Sequence, residues 1–305
     1  MQWLAGFIMR GRSTAALVAA TAGVLSWLFP PLLVIAGAAI ALVTLRRGPA
    51  EGALAMLLGG LGAIGAAWLA FGAPWPILRV LLLCWPPAWL LALVLRSTIS
   101  LSRTFQAAAL LGILGVAGFY LVLGDPTVWW NQILDQLRQE LIGATPSQPT
   151  SDHATLEQVL ILLKDWAPYL AGQVIGAALI FIISALLLGR WWQSLLFNRG
   201  GFGPEFQALR LGQALALFTL ALFGLTVVSG WAPLANIVLV LGVLYTVQGI
   251  ALVHALLAKL QLSSAWLILF YLLLIPLLSQ VVMALGIVDA WADFRNRIRP
   301  RSDKR

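Results

Sequence analysis

Nine apolar stretches dominate this chain, at residues 13–29, 32–45, 52–71, 77–95, 104–123, 168–188, 211–228, 234–258 and 264–286. Most approach the ~20 residues that a helix needs to cross a bilayer. Hydrophobic residues make up 61% of the 305 and charged residues 10%, with a mean hydropathy of +0.94. Soluble domains carry about 25% charged residues. No water-soluble core can bury this much apolar surface, which excludes a soluble enzyme, a disordered chain and a disulfide scaffold. The expected fold is all-α: a polytopic transmembrane helical bundle of eight to nine spans, with amphipathic helices in the outer loop. The expected divisions are an N-terminal membrane bundle (1–123), an outer amphipathic helix and linker (124–167), a C-terminal membrane bundle (168–288) and a basic cytoplasmic tail (289–305). The second stretch follows Pro30-Pro31 and is short for a crossing. It is expected to be tilted or packed against its neighbours where the bilayer is thin.

The net charge of +8 and a pI of about 10.6 would suggest nucleic-acid binding in a soluble protein. Here the basic residues lie between apolar runs, where they report orientation. Arg10 and Arg12, Arg46 and Arg47, Arg96 and Arg103, and Arg190, Arg199 and Arg210 fall two stretches apart. All these groups are therefore expected on the cytoplasmic side, with no nucleic-acid partner. The intervening loops at 72–76 and 229–233 lack charge and carry the interfacial residues Trp75 and Trp231. Nine crossings would put the basic tail residues Arg295, Arg297, Arg299, Arg301, Lys304 and Arg305 outside. Eight crossings, with one C-terminal stretch re-entrant or doubled back at Pro276, keep them inside. The first stretch reads as a retained anchor, since no small-residue cleavage site precedes the spans that follow. Cys84, the single cysteine, sits within an apolar run and reads as a small hydrophobe.

The longest polar segment runs from 124 to 167, with Asp125, Asp135, Glu140, Asp152, Glu157 and Asp165 against only Arg138 and Lys164. That bias suits the outer side. Trp130, Ile133, Leu134, Leu137 and Leu141 recur at helical spacing, which predicts an amphipathic helix on the membrane surface or capping the bundle. A linker follows at 145–151, then a short helix near 156–166.

Polar side chains within spans are costly and are read as functional candidates. Tyr245 and Gln248 share one helix face, and with Gln280 they are the candidate lining of a small ligand pocket. Asn236 and His254 lie about 27 Å apart along the same helix, too far for one site. Gln173 and Gln213 are expected to hydrogen-bond between helices. Pro86-Pro87 is expected to kink or break the fourth span. Glycines at 59, 60, 62 and 65, and at 112, 115 and 118, offer smooth faces for close helix contact. Asp289 and Asp293 stand one turn apart beside Trp291 and arginines, and read as an interfacial anchor with local ion pairs. No HExxH, GxSxG or phosphate-binding glycine–lysine loop occurs. The expectation is a non-enzyme with no metal and no cofactor.

Three segments carry a family resemblance: 47–52 (RGPAEG), 245–249 (YTVQG) and 286–295 (GIVDAWADFR). Through them the chain resembles the YybS-like family of uncharacterised bacterial integral membrane proteins. That family is similar to the S components of energy-coupling-factor transporters, which bind a vitamin near the outer face of a helical bundle. The resemblance implies a multi-pass protein of the bacterial inner membrane. It also implies that Ala15 with Ala19, or Ala16 with Ala20, docks another membrane protein or transporter component. Two functions follow as expectations: a transport-related small-molecule binder closed by the helix at 129–142, or a non-transporting membrane scaffold for another membrane or envelope protein.

Overall fold

The computed structural model describes residues 1–144, 150–263 and 265–297. Linker residues 145–149 and the tail residues Arg299, Arg301, Lys304 and Arg305 lie outside the described residues. The architecture is all-helical, with no strand among the described residues. In order, the helices are α1 (Gln2–Ile8), α2 (Arg12–Leu25), α3 (Leu32–Arg47), α4 (Pro49–Phe71), α5 (Trp75–Thr98), α6 (Leu101–Leu123), α7 (Pro126–Ala144) and α8 (Thr150–Asp165). They continue as α9 (Leu170–Phe197), α10 (Phe202–Gln207), α11 (Gln213–Ser229), α12 (Ala232–Lys259), α13 (Ala265–Leu273), α14 (Ser279–Ala292) and α15 (Phe294–Arg297).

Five segments are long and apolar enough to cross a membrane: α4, α5, α6, α12 and the stretch Glu157–Phe197. The eight to nine crossings expected from the sequence include shorter apolar helices, among them α2, α11 and α14. The chain divides into two compact units. The first comprises Met1–Leu111, Ala177–Leu217 and Gly242–Arg305, and the second Gly112–Gly176 and Phe218–Leu241. The boundaries expected at 123 and 168 both fall inside the second unit.

In the first unit, α3 spans only about 24 Å at 1.5 Å per residue. Every residue from Ala36 to Leu45 is buried. A side chain at Gly37 would meet Ala185 at 2.8 Å, and one at Gly189 would meet the Ala38 carbonyl oxygen at 2.9 Å. Its shortness therefore reflects a protein environment on its flanks, consistent with the packed alternative. Arg96 Nη1 closes its end by donating to the Leu45 carbonyl at 2.7 Å, and Arg47, its last residue, donates to the carbonyl of Met9 at the end of α1. A cation at a helix C-terminus satisfies orphan carbonyls and opposes the helix dipole. Gly48, at φ 115°, turns the chain into Pro49, which starts α4.

The face formed by Ala15, Ala16, Ala19 and Ala20 packs within the chain. Ala15, Ala16 and Ala19 are buried, and a side chain at Gly59 of α4 would meet Ala19 Cβ at 2.9 Å. One at Gly62 would meet Ala20 Cβ at 3.1 Å. Part of the face expected to dock a partner is thus packed against α4. Pro86-Pro87 does not break α5, which is helical from Trp75 to Thr98. Proline costs the helix a donor, and membrane helices tolerate such losses when neighbours compensate. Pro276 does not end its helix either: it lies in a π-helical turn, Leu274–Leu278, between α13 and α14.

In the second unit, α7 and α8 pair antiparallel. Trp130 Nε1 donates to the Leu163 carbonyl at 3.0 Å, Lys164 pairs with Asp135 at 2.7 Å, and Arg138 pairs with Glu157. Leu134 is buried as the helical pattern requires, whereas Ile133 and Leu137 are exposed.

Candidate functional site

The second unit contains an asparagine that organises three helices. Asn236 stands just over one turn into α12 and is fully buried. A buried amide without partners is costly, and this one is saturated. Its Oδ1 accepts from the Gly172 amide at 2.5 Å. The two N–H groups of its Nδ2 lie within hydrogen-bonding distance of three acceptors, the Tyr120 hydroxyl at 2.9 Å, the Pro168 carbonyl at 2.7 Å and the Ala232 carbonyl at 2.8 Å. Gly172 is required here because a Cβ would lie 2.9 Å from the Asn236 Cα. The amide thereby ties α6, the start of α9 and α12 together, and it holds Tyr120 by its hydroxyl oxygen.

Beside this knot lies an open cleft of about 630 Å³. Val116, Ala117, Tyr120 and Leu121 form one wall, Trp231, Ala232, Pro233, Leu234 and Ile237 the other, and Asp125 stands at its edge. The lining is apolar apart from the Tyr120 hydroxyl, the Asp125 carboxylate and the Trp231 indole. That is the composition of a small-molecule site: an apolar body with a few polar groups that orient a ligand. Asp125 also caps α7, accepting from the Thr127 amide at 2.9 Å and from its hydroxyl.

The residues expected to form a pocket have other roles. Gln248 is fully buried in the first unit, where its Oε1 accepts from the Leu211 amide at 2.8 Å. Its Nε2 donates to the Gly286 carbonyl at 2.6 Å. The Leu211 carbonyl in turn accepts from Gln106 Nε2 at 2.9 Å. Two glutamines therefore satisfy the irregular backbone before α11, as buried non-helical peptide groups demand. Tyr245 is fully buried beside them, where its backbone faces Gly286. Gln280 is exposed and does not join these two. Of the three residues expected to line a pocket, Gln248 is engaged by backbone groups, Tyr245 is buried and Gln280 is exposed. Gln173 and Gln213 are exposed as well, and the Gln248 bond to Gly286 joins α12 to α14.

The tail motif does form local ion pairs. Asp293, at φ 47°, ends α14 and pairs with Arg210, while Asn296 Nδ2 donates to it at 2.6 Å. The Asn296 hydrogen bond, and then that of Arg210, hold the Asp293 carboxyl below its ordinary value. Asp289 is fully buried 3.5 Å from Arg295, whose backbone carbonyl accepts from Lys259 at 2.6 Å. His254 meets the Tyr271 hydroxyl at 2.8 Å. No group of three or more metal-ligating side chains occurs among the described residues.

The cleft residues were read from sequence only in part. The sequence marks Trp231 as interfacial and Asp125 as one of the outer acids, whereas Tyr120 and Leu234 carry no signal. Asn236 did carry one, as an uncompensated amide inside a span.

The family model described as Predicted membrane protein (DUF2232) matches residues 16–290. No curated protein matches the chain, and no solved structure does. With nearly its whole length matched, the chain belongs to the DUF2232 family of predicted membrane proteins.

Proposed function

We propose that this membrane protein is a transport-related small-molecule binder, akin to an S component, with its ligand in the Tyr120–Trp231 cleft. The observation that carries the reading is the cleft itself. Its volume of about 630 Å³ lies within the range of ligand sites, and its walls are apolar with a few polar groups. The Asn236 knot holds Tyr120 in place before any ligand arrives, which lowers the ordering cost of binding. The protein acts by binding and not by catalysis, and it resides in a bacterial cytoplasmic membrane with the cleft facing out. The resemblance to YybS-like proteins, and through them to S components, supports this role. A transporter partner would dock on a face other than that of Ala15 to Ala20, which α4 occupies.

The test is a thermal-shift screen of the protein in nanodiscs against vitamins and metabolites, run in parallel on Leu234→Trp, which fills the cleft. A stabilising compound that loses its effect on Leu234→Trp supports the reading, and flat curves for both proteins overturn it. A second reading, a non-transporting scaffold, draws on exposed Ile133, Leu137, Ile161 and Leu162 of the α7–α8 pair. Crosslinking in native membranes would then capture one stoichiometric partner through these positions, and substitution of Ile133 and Ile161 by serine would abolish the capture.

A further inference from the structure

We infer that the Tyr120–Trp231 cleft takes an organic cation, a molecule with an apolar body and a protonated or quaternary amine that lies against Asp125 and Trp231. This inference rests on the binding role proposed above and adds the class of ligand.

The argument begins with the charge balance of the second unit. Its only lysine or arginine residues are Arg138 and Lys164. Both are taken: Arg138 pairs with Glu157, and Lys164 with Asp135. Asp125, Glu140 and Asp165 are then left with no basic partner among the described residues. Of these three, Asp125 is the one at the cleft. Its Oδ1 is engaged by Thr127 at the start of α7, and its Oδ2 has no ion-pair partner among the described residues.

The rest of the lining decides what kind of cation fits. Trp231 and Tyr120 bring aromatic rings to the same cleft. An aromatic face attracts a cation, most strongly for an indole. The remaining walls, Val116, Ala117, Leu121, Pro233, Leu234 and Ile237, offer no group to hydrate a bare metal ion. A metal cation needs several oxygen ligands, whereas an alkylated ammonium carries a diffuse charge and an apolar surface that such walls accept. An anionic ligand would meet the like charge of Asp125, and a neutral one would gain no charge attraction from it.

The experiment uses the full-length protein in nanodiscs of phosphatidylcholine alone, so that no anionic lipid competes. The probes are benzyltrimethylammonium and its neutral isostere neopentylbenzene, which share size and shape but differ in charge. Wild type is expected to bind the cation about tenfold more tightly than the isostere. That preference should weaken as salt rises. Asp125→Asn keeps the oxygen that caps α7 and removes the charge, so it should erase the preference while retaining the affinity for neopentylbenzene. Equal binding of the two probes to wild type overturns the inference and leaves the cleft standing as a neutral site. A preference that persists in Asp125→Asn also overturns it, because the charge read by the ligand then lies elsewhere. If neither probe binds, the cation class is overturned; the binding role itself falls only if the metabolite screen is flat as well.

Discussion

Gly172 and Asn236 are locked together at 2.5 Å, the glycine amide donating to the side-chain oxygen at a point where the glycine has no room for a Cβ. Bilayer interiors offer no water to replace such a bond. The pair therefore fixes the approach of α9 to α12, and through Tyr120 it fixes one wall of the cleft.

Asn236→Leu should lower stability by about 2 kcal/mol, since it leaves the Gly172 amide without its acceptor in a dry setting. Gly172→Ala should cost at least as much, because the new methyl meets the Asn236 backbone as well as its side-chain oxygen. Equilibrium unfolding by SDS titration in mixed micelles measures both. Near-neutral values would show that the knot is dispensable.

Gly249 and Gly286 let α12 and α14 touch backbone to backbone. A Cβ at Gly249 would collide with the Val282 carbonyl, and one at Gly286 with that of Tyr245. Alanine at either position should cost about 1–3 kcal/mol. It should also disturb the Gln248 bond to Gly286, which amide infrared spectroscopy of side-chain-labelled Gln248 would register as a shift.

Asp289 and Arg295 form a buried pair with a 3.5 Å separation. Asp289→Asn removes one charge and strands the other, and should cost about 3–5 kcal/mol. The double replacement Asp289→Leu with Arg295→Met should fall within about 1 kcal/mol of wild type, because it strands no charge. Thermal unfolding of the three proteins decides this; a double variant as weak as Asp289→Asn would refute a charge-pair origin.

The carboxyl of Asp293 titrates below its ordinary range because Asn296 and Arg210 favour its ionised form. A depressed folded-state value means that the stabilisation is complete above the unfolded value, near pH 4, and is lost as pH falls through the folded value. The difference in melting temperature between wild type and Asp293→Asn should therefore be constant from pH 7 to about pH 5 and vanish in stronger acid. A difference that grows on acidification would contradict this sign.

Much of the architecture is legible in the order of residues. Long apolar runs dictate lipid as solvent and helix as the spanning structure, because lipid leaves every backbone group to be satisfied internally. The arginines between the runs mark helix ends, and two of them, Arg47 and Arg96, bind the carbonyls at the ends of α1 and α3. The amphipathic pattern of α7 was equally readable, as were the glycine faces at Gly59 and Gly62. Partner choice was not. A helix surrounded by lipid and protein is apolar all round, so its pattern does not say which face meets a neighbour. Gln248 and Gln280 look alike in sequence, yet one is buried against Leu211 and Gly286 and the other is exposed. The alanines at 15, 16, 19 and 20 suit any close helix contact, and only the fold assigns them to α4. Tyr120 and Trp231 are more than a hundred residues apart in sequence, and what makes them neighbours in one cleft is the crossing of helices set by Asn236. Local chemistry decides where each segment resides, and long-range packing decides which of its side chains meet.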